Sequence, residues 1–94
     1  MAILVRFLGF PEIKRTLGRT EFWVEADPPT LAGLIEALRS QGVPVDETVV
    51  TEEGHVRPTV QVIRNGDDWI PRDRPDTPLG PDDEITFLFM MAGG

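Results

Sequence analysis

The stretch Asp27-Pro28-Pro29-Thr30-Leu31-Ala32-Gly33-Leu34-Ile35-Glu36-Ala37-Leu38-Arg39-Ser40-Gln41-Gly42 decides the fold of this chain. Two prolines stop the preceding strand, and the Thr30 hydroxyl is placed to cap free N–H groups at a helix start. Leu31, Leu34, Ile35 and Leu38 then keep the i, i+3, i+4, i+7 spacing of one helical face. Arg39 suits the negative end of the helix dipole, and Gly42 is placed to end the helix.

An amphipathic helix needs an apolar surface to lie on, and the flanking segments supply one. Upstream, Ile3, Val5 and Phe7 alternate with Leu4, Arg6 and Leu8, the period of a strand with one buried face. Gly9, Pro11 and Gly18 predict a broad turn before a second strand, Thr20 to Glu25. There Phe22 and Val24 face inward and Glu21, Trp23 and Glu25 outward, with Trp23 expected under partial cover from a loop. Downstream, residues 43–58 read as an irregular connection holding at most a short strand around Val49-Val50.

Thr59 to Arg64 is β-rich and ends at Asn65-Gly66, a strong turn signal. Residues 67–84 hold four prolines and seven acidic residues, which predicts a loop or a single helical turn around a buried Leu79. Ile85 to Phe89 is a last strand, with Ile85, Phe87 and Phe89 inward and Thr86 and Leu88 outward. The expected order is ββ-α-β-β, an α+β domain with a mixed sheet and one main helix packed on it.

Ninety-four residues make one domain with a modest core. The chain holds no stretch near the roughly 20 apolar residues of a membrane span, and its first residues lack a signal-peptide pattern. With no cysteine it has no disulfide, thiolate metal site or iron–sulfur cluster, and a cytoplasmic location is the simplest expectation. The net charge of −7 argues against nucleic acid as a partner. It fits either a protein partner with a basic face or simple solubility.

Catalytic side chains are scarce: one His, one Lys, no Tyr and no Cys. His55 lies in the polar turn Glu52-Glu53-Gly54-His55-Val56 and reads as an exposed loop residue. No residue of the chain is expected to be catalytic, so any chemistry would use the protein as a substrate.

After the last strand come Met90-Met91-Ala92-Gly93-Gly94. Two closing glycines occur by chance in roughly one chain in 200, so alone they say little. Directly after a strand that ends a ββ-α-β-β domain they say more. The domain is expected over residues 1–89 and a flexible Gly-Gly tail over 90–94.

Four segments together resemble the MoaD/ThiS family of ubiquitin-like β-grasp sulfur carriers. Pro29-Thr30-Leu31 with Leu34, Ile35 and Leu38 is similar to its Thr-hydrophobic-x-x-Leu-Leu helix start. Glu53-Gly54-His55-Val56-Arg57-Pro58, with Val60, Val62, Asn65 and Gly66, is similar to its Gly-x-hydrophobic-Arg strand ending in Asn-Gly. Asp76-Thr77-Pro78-Leu79 and Asp83-Glu84-Ile85 resemble its Asp-Thr-x-Leu and Asp-Glu-Val elements, and the tail its terminal Ala-Gly-Gly.

The resemblance implies a β-grasp fold most like the small subunit of molybdopterin synthase, binding no cofactor itself. An E1-like partner would use ATP to adenylate the Gly94 carboxylate, and sulfur would replace an oxygen to give a thiocarboxylate. A sulfur-acceptor enzyme, such as the large subunit of molybdopterin synthase, would then take the sulfur. Other acceptors would serve cysteine, thiamine or thiolated tRNA, and a protein modifier is a further alternative.

Glycine fits this use physically: Gly93 and Gly94 lack Cβ atoms and can thread a narrow channel. Five residues from Met90 extend about 17 Å, enough to enter a partner's site while the domain docks outside. For docking, Leu88, Met90 and Ile63 are expected on the outer sheet face, much as in ubiquitin's hydrophobic patch, with Met91 and Ala92 continuing the contact.

Overall fold

A computed structural model describes residues 2–90. Its elements are β1 (Ile3–Leu8), α1 (Pro11–Leu17), β2 (Glu21–Val24), α2 (Leu31–Ser40), α3 (Val45–Thr48), β3 (Val60–Arg64), β4 (Asp68–Ile70) and β5 (Glu84–Phe89). The strands form one mixed sheet in the order β2-β1-β5-β3-β4. β1 and β5 run parallel at its centre, and the other neighbours are antiparallel. This is the expected β-grasp arrangement, extended by a fifth strand and two short helices.

The main helix forms for the reasons its sequence carries. The Thr30 hydroxyl accepts the Gly33 N–H at 3.1 Å. The Leu31 and Ala32 N–H groups donate to the Thr77 and Pro75 carbonyls at 3.0 and 2.9 Å, so three free donors of the first turn are satisfied. At the other end, Gly42 N–H bonds Arg39 O at 3.0 Å and Val43 N–H bonds Leu38 O at 3.1 Å, the paired closure of a Schellman motif.

Leu31, Leu34, Ile35 and Leu38 are all buried against the sheet. Full burial of one such side chain contributes about 1.5–3 kcal/mol, far more than helix propensity does. Gly33 is buried as well, where α2 crosses the Pro28 carbonyl. A Cβ there would lie 1.9 Å from that oxygen, so only glycine permits the approach.

The core face of the sheet follows the predicted alternation. Ile3, Val5 and Phe7 of β1 pair across to Val24 and Phe22 of β2 and to Ile85 and Phe87 of β5. Phe7 stands among three rings: stacked on Phe87 at 5.2 Å and edge-on to Phe10 and Phe22 at 5.6 and 5.7 Å. No polar or charged residue is buried among those described.

Four expectations are corrected. Residues 9–19 hold a helix rather than a broad turn: Pro11 opens α1, and Gly18 closes it at φ 73° with its N–H on Lys14 O at 2.7 Å. Phe10, Ile13 and Leu17 pin α1 to the core. The 43–58 connection contains the single turn α3 and an isolated bridge between Val50 and Val56. Within 67–84 lies β4, which the Asn65-Gly66 reversal (φ 55° and 83°) folds back onto β3, while Leu79 is buried as expected. Trp23 is 66% exposed rather than covered, because β2 is an edge strand and its outer face has no neighbouring layer.

Candidate functional site

The motif segments quoted above are structural struts. Arg57 donates from Nε to Val50 O at 3.0 Å and from Nη2 to Asp46 O at 2.8 Å, pinning α3 to the start of β3. Asn65 accepts the Glu84 N–H at 2.9 Å through Oδ1 and donates to Asp83 at 3.1 Å through Nδ2. Asp83 also accepts the Gly80 N–H at 2.7 Å. That backbone bond, then the Asn65 amide and the Arg64 charge, hold its carboxyl below the usual carboxylate range. Thr77 donates its hydroxyl to Arg74 O at 2.7 Å, shaping the loop that caps α2.

The outer sheet face carries a different chemistry. Leu88 of β5 lies directly beside Leu8 of β1, and Ile63 of β3 directly beside Trp69 of β4. Gln61 and Thr86 join the two pairs. Leu88 and Ile63 are half-buried, whereas Trp69, Leu8 and Met90 are 55%, 50% and 44% exposed. So the fold brings the predicted Leu88 and Ile63 to one face and adds Leu8 and Trp69, which sequence reasoning did not assign to the site, while the predicted Met90 follows the end of β5 and is exposed. For Leu8 the alternation was a sufficient signal; for Trp69 it was not, since β4 was unrecognised.

Arg6 is the neighbouring base, held by Glu21 at 3.0 Å and Glu84 at 3.4 Å. The apolar patch therefore adjoins neutralised or acidic charge.

Met90 is the last described residue, and its N–H donates to Thr59 O at 2.6 Å. Phe89 turns toward the core side but lies past its rim: it is 37% exposed, a correction to its expected burial, and packs edge-on to Phe10 at 5.9 Å. Beside it opens a cleft of about 360 Å³ lined by Phe10, Pro11, Glu12, Arg57, Thr59 and Phe89 among others. Met91, Ala92, Gly93 and Gly94 lie outside the described residues.

His55 is half-buried in its turn. Among the described residues no group of three His, Asp or Glu could hold a metal ion, and no helix is long and apolar enough to cross a membrane.

The ThiS family pattern matches residues 8–94. No curated protein matches the chain by sequence. Among solved structures it is similar to SAMP1 from Haloferax volcanii, at TM-score 0.77 and 17% identity over 100% of both chains. It is similar to Urm1 from Trypanosoma brucei, at TM-score 0.73 and 24% identity, covering 99% of this chain and 95% of that one. A chain of the Amycolatopsis orientalis BexX/CysO complex matches at TM-score 0.73 and 24% identity, covering 99% and 100%.

Proposed function

Because the chain belongs to the ThiS family of ubiquitin-like carriers, we propose that it carries sulfur on its own Gly94 carboxylate, most specifically for molybdopterin synthesis. The observation that supports this reading best is that the family match runs through Gly94, four residues after the sheet releases the chain at Met90. An E1-like partner adenylates Gly94 at the expense of ATP. Sulfur then displaces AMP to leave a thiocarboxylate, and an acceptor enzyme such as the large subunit of molybdopterin synthase takes it.

The side chains divide the work simply. Leu8, Leu88, Ile63, Trp69 and Met90 form the docking patch, and Met91 and Ala92 carry the contact toward the partner's site. Gly93 gives the reacting end its narrow profile, and Gly94 supplies the acyl carbon. The similarity to a chain from the BexX/CysO complex supports the general picture of a carrier that works docked to an enzyme.

Two observations favour keeping other readings beside the first. Similarity to CysO's complex fits an acceptor other than molybdopterin, in cysteine, thiamine or tRNA thiolation. Similarity to small archaeal modifier protein 1 fits a protein modifier.

Intact-mass measurement of the protein isolated from its own cells separates the classes. Carriage gives a species heavier by the replacement of one oxygen with sulfur, about 16 Da. Modification leaves a branch on lysines of other proteins. Trypsin is a poor tool here because its last cleavable bond is Arg72-Asp73, Arg74 being followed by Pro75. Cyanogen bromide cuts after Met91 and leaves a compact Ala-Gly-Gly branch. A protein with neither mark, and full activity without Gly93-Gly94, rules out both.

A further inference from the structure

Asn65 is the only asparagine in the chain, and a glycine follows it. With no Cβ on Gly66, its backbone nitrogen has an open approach to the carbon of the preceding side-chain amide. Both residues are exposed, at φ 55° and 83°, in the turn between β3 and β4. None of the described hydrogen bonds engages the Gly66 N–H. The attacking nitrogen is therefore free, and what restrains it is the position of the asparagine side chain.

That side chain is fastened to the start of β5. Its Oδ1 accepts the Glu84 N–H at 2.9 Å, and its Nδ2 donates to Asp83 Oδ1 at 3.1 Å. The Asn65 backbone N–H donates to Glu84 O at 2.8 Å, and the Gly80 N–H fixes Asp83 at 2.7 Å. The amide is planar, so turning its carbon onto the Gly66 nitrogen breaks both of its own bonds.

From this arrangement we infer that Asn65-Gly66 is a self-modification site gated by its bonds to β5, and that its conversion frees the Asp68-Trp69 end of β4. When the bonds open, the Gly66 nitrogen attacks Asn65 Cγ. A C–N bond forms and the bond from Cγ to the amide nitrogen breaks. Ammonia leaves, taking up the Gly66 amide proton, and a succinimide remains. Water then opens this ring at either carbonyl, giving aspartate or, with the main chain routed through the side chain, isoaspartate. Solvent is the only co-reactant.

Neither product rebuilds the fastening. A carboxylate at position 65 has no N–H for Asp83 and sets a second negative charge against it. Arg64 is already committed, its guanidinium bonding Asp68 at 2.8 Å and Pro78 O at 2.9 Å. Isoaspartate also adds a backbone carbon to the turn that sets the Arg64–Asp68 and Ile63–Trp69 register. Ile70 is buried and Arg72 O accepts the Val56 N–H at 3.2 Å, so the far end of β4 stays anchored. The change is local: Trp69 loses its place beside Ile63.

The test uses the whole chain, held at mildly alkaline pH in buffer or in guanidinium chloride. Intact mass reads the exchange of NH2 for OH, and the tryptic peptide Asn65–Arg72 locates it. Conversion should run at least about tenfold slower in the folded protein than in the denatured one. Asp83→Ala, once shown to melt cooperatively, should speed the folded-state reaction by about threefold or more. The converted protein, separated by its extra negative charge, should exchange amide hydrogens over Asp68–Ile70 about tenfold faster, with β1 and β5 unchanged. Asn65→Asp carries the new carboxylate without the longer chain, and should show the same change to a smaller degree. Equal rates in folded and denatured protein, conversion in neither, or β4 exchange unaltered by conversion would each overturn the inference.

Discussion

Single residues set the tolerances of this fold. Gly33 is one: replacing it with Ala would improve helix propensity by about 1 kcal/mol. The added methyl meets the Pro28 carbonyl at 1.9 Å, and this backbone atom cannot swing aside. Gly33→Ala should therefore destabilise by about 1–3 kcal/mol or more in urea unfolding, and a neutral result would show that the Pro28 segment yields.

Asp83 is another. Its carboxylate is favoured in the folded state, so its contribution is complete above the usual carboxylate pKa of about 4 and is lost as pH falls through the lowered folded value. Asp83→Ala should cost about 1 kcal/mol near neutrality, and the difference from the unaltered protein should shrink on acidification. A difference constant down to about pH 2.5 would contradict the assigned bonds.

Among the elements, β5 connects the core to the outer apolar patch. Its inward residues Ile85 and Phe87 are buried, while Leu88 looks outward beside Leu8. Leu88→Glu and Trp69→Ser should each weaken binding to the activating partner by about tenfold while costing less than about 1 kcal/mol in stability. Titration of the purified partner against each variant reads the first effect and thermal melting the second. Unfolding of Leu88→Glu would place that side chain in the core.

α2 and the strand faces were legible because periodicity and caps are local. The helix α1 carried equally local signals, Pro at its first position and Gly after its last, but those same residues also punctuate turns. β4 was hidden because three residues are too few to show a period; its pairing comes from the Asn65-Gly66 reversal.

For the whole molecule, the folded core and the proposed reactive end are separate along the chain. Deleting Gly94 should leave the melting temperature within about 2 °C, since the described core closes by Met90. The same deletion should abolish ATP-dependent adenylation, and a normal rate in the truncated protein would refute the assigned reactive carboxylate. The net charge of −7 predicts that association with a basic partner slows by about tenfold or more as salt rises from about 0.05 to 0.5 M. A rate independent of salt would exclude electrostatic steering.

The sequence by itself determined the main helix, the inward and outward faces of three strands, the scarcity of catalytic side chains and the Gly-Gly end. These follow from spacing of 2 or 3.6 residues and from composition, which neighbours along the chain suffice to express. Only the tertiary structure decided that Leu8 joins Leu88 and that Trp69 joins Ile63. Such meetings depend on which strands exchange hydrogen bonds across the sheet, and burial of the whole core, rather than any local pattern, selects that order.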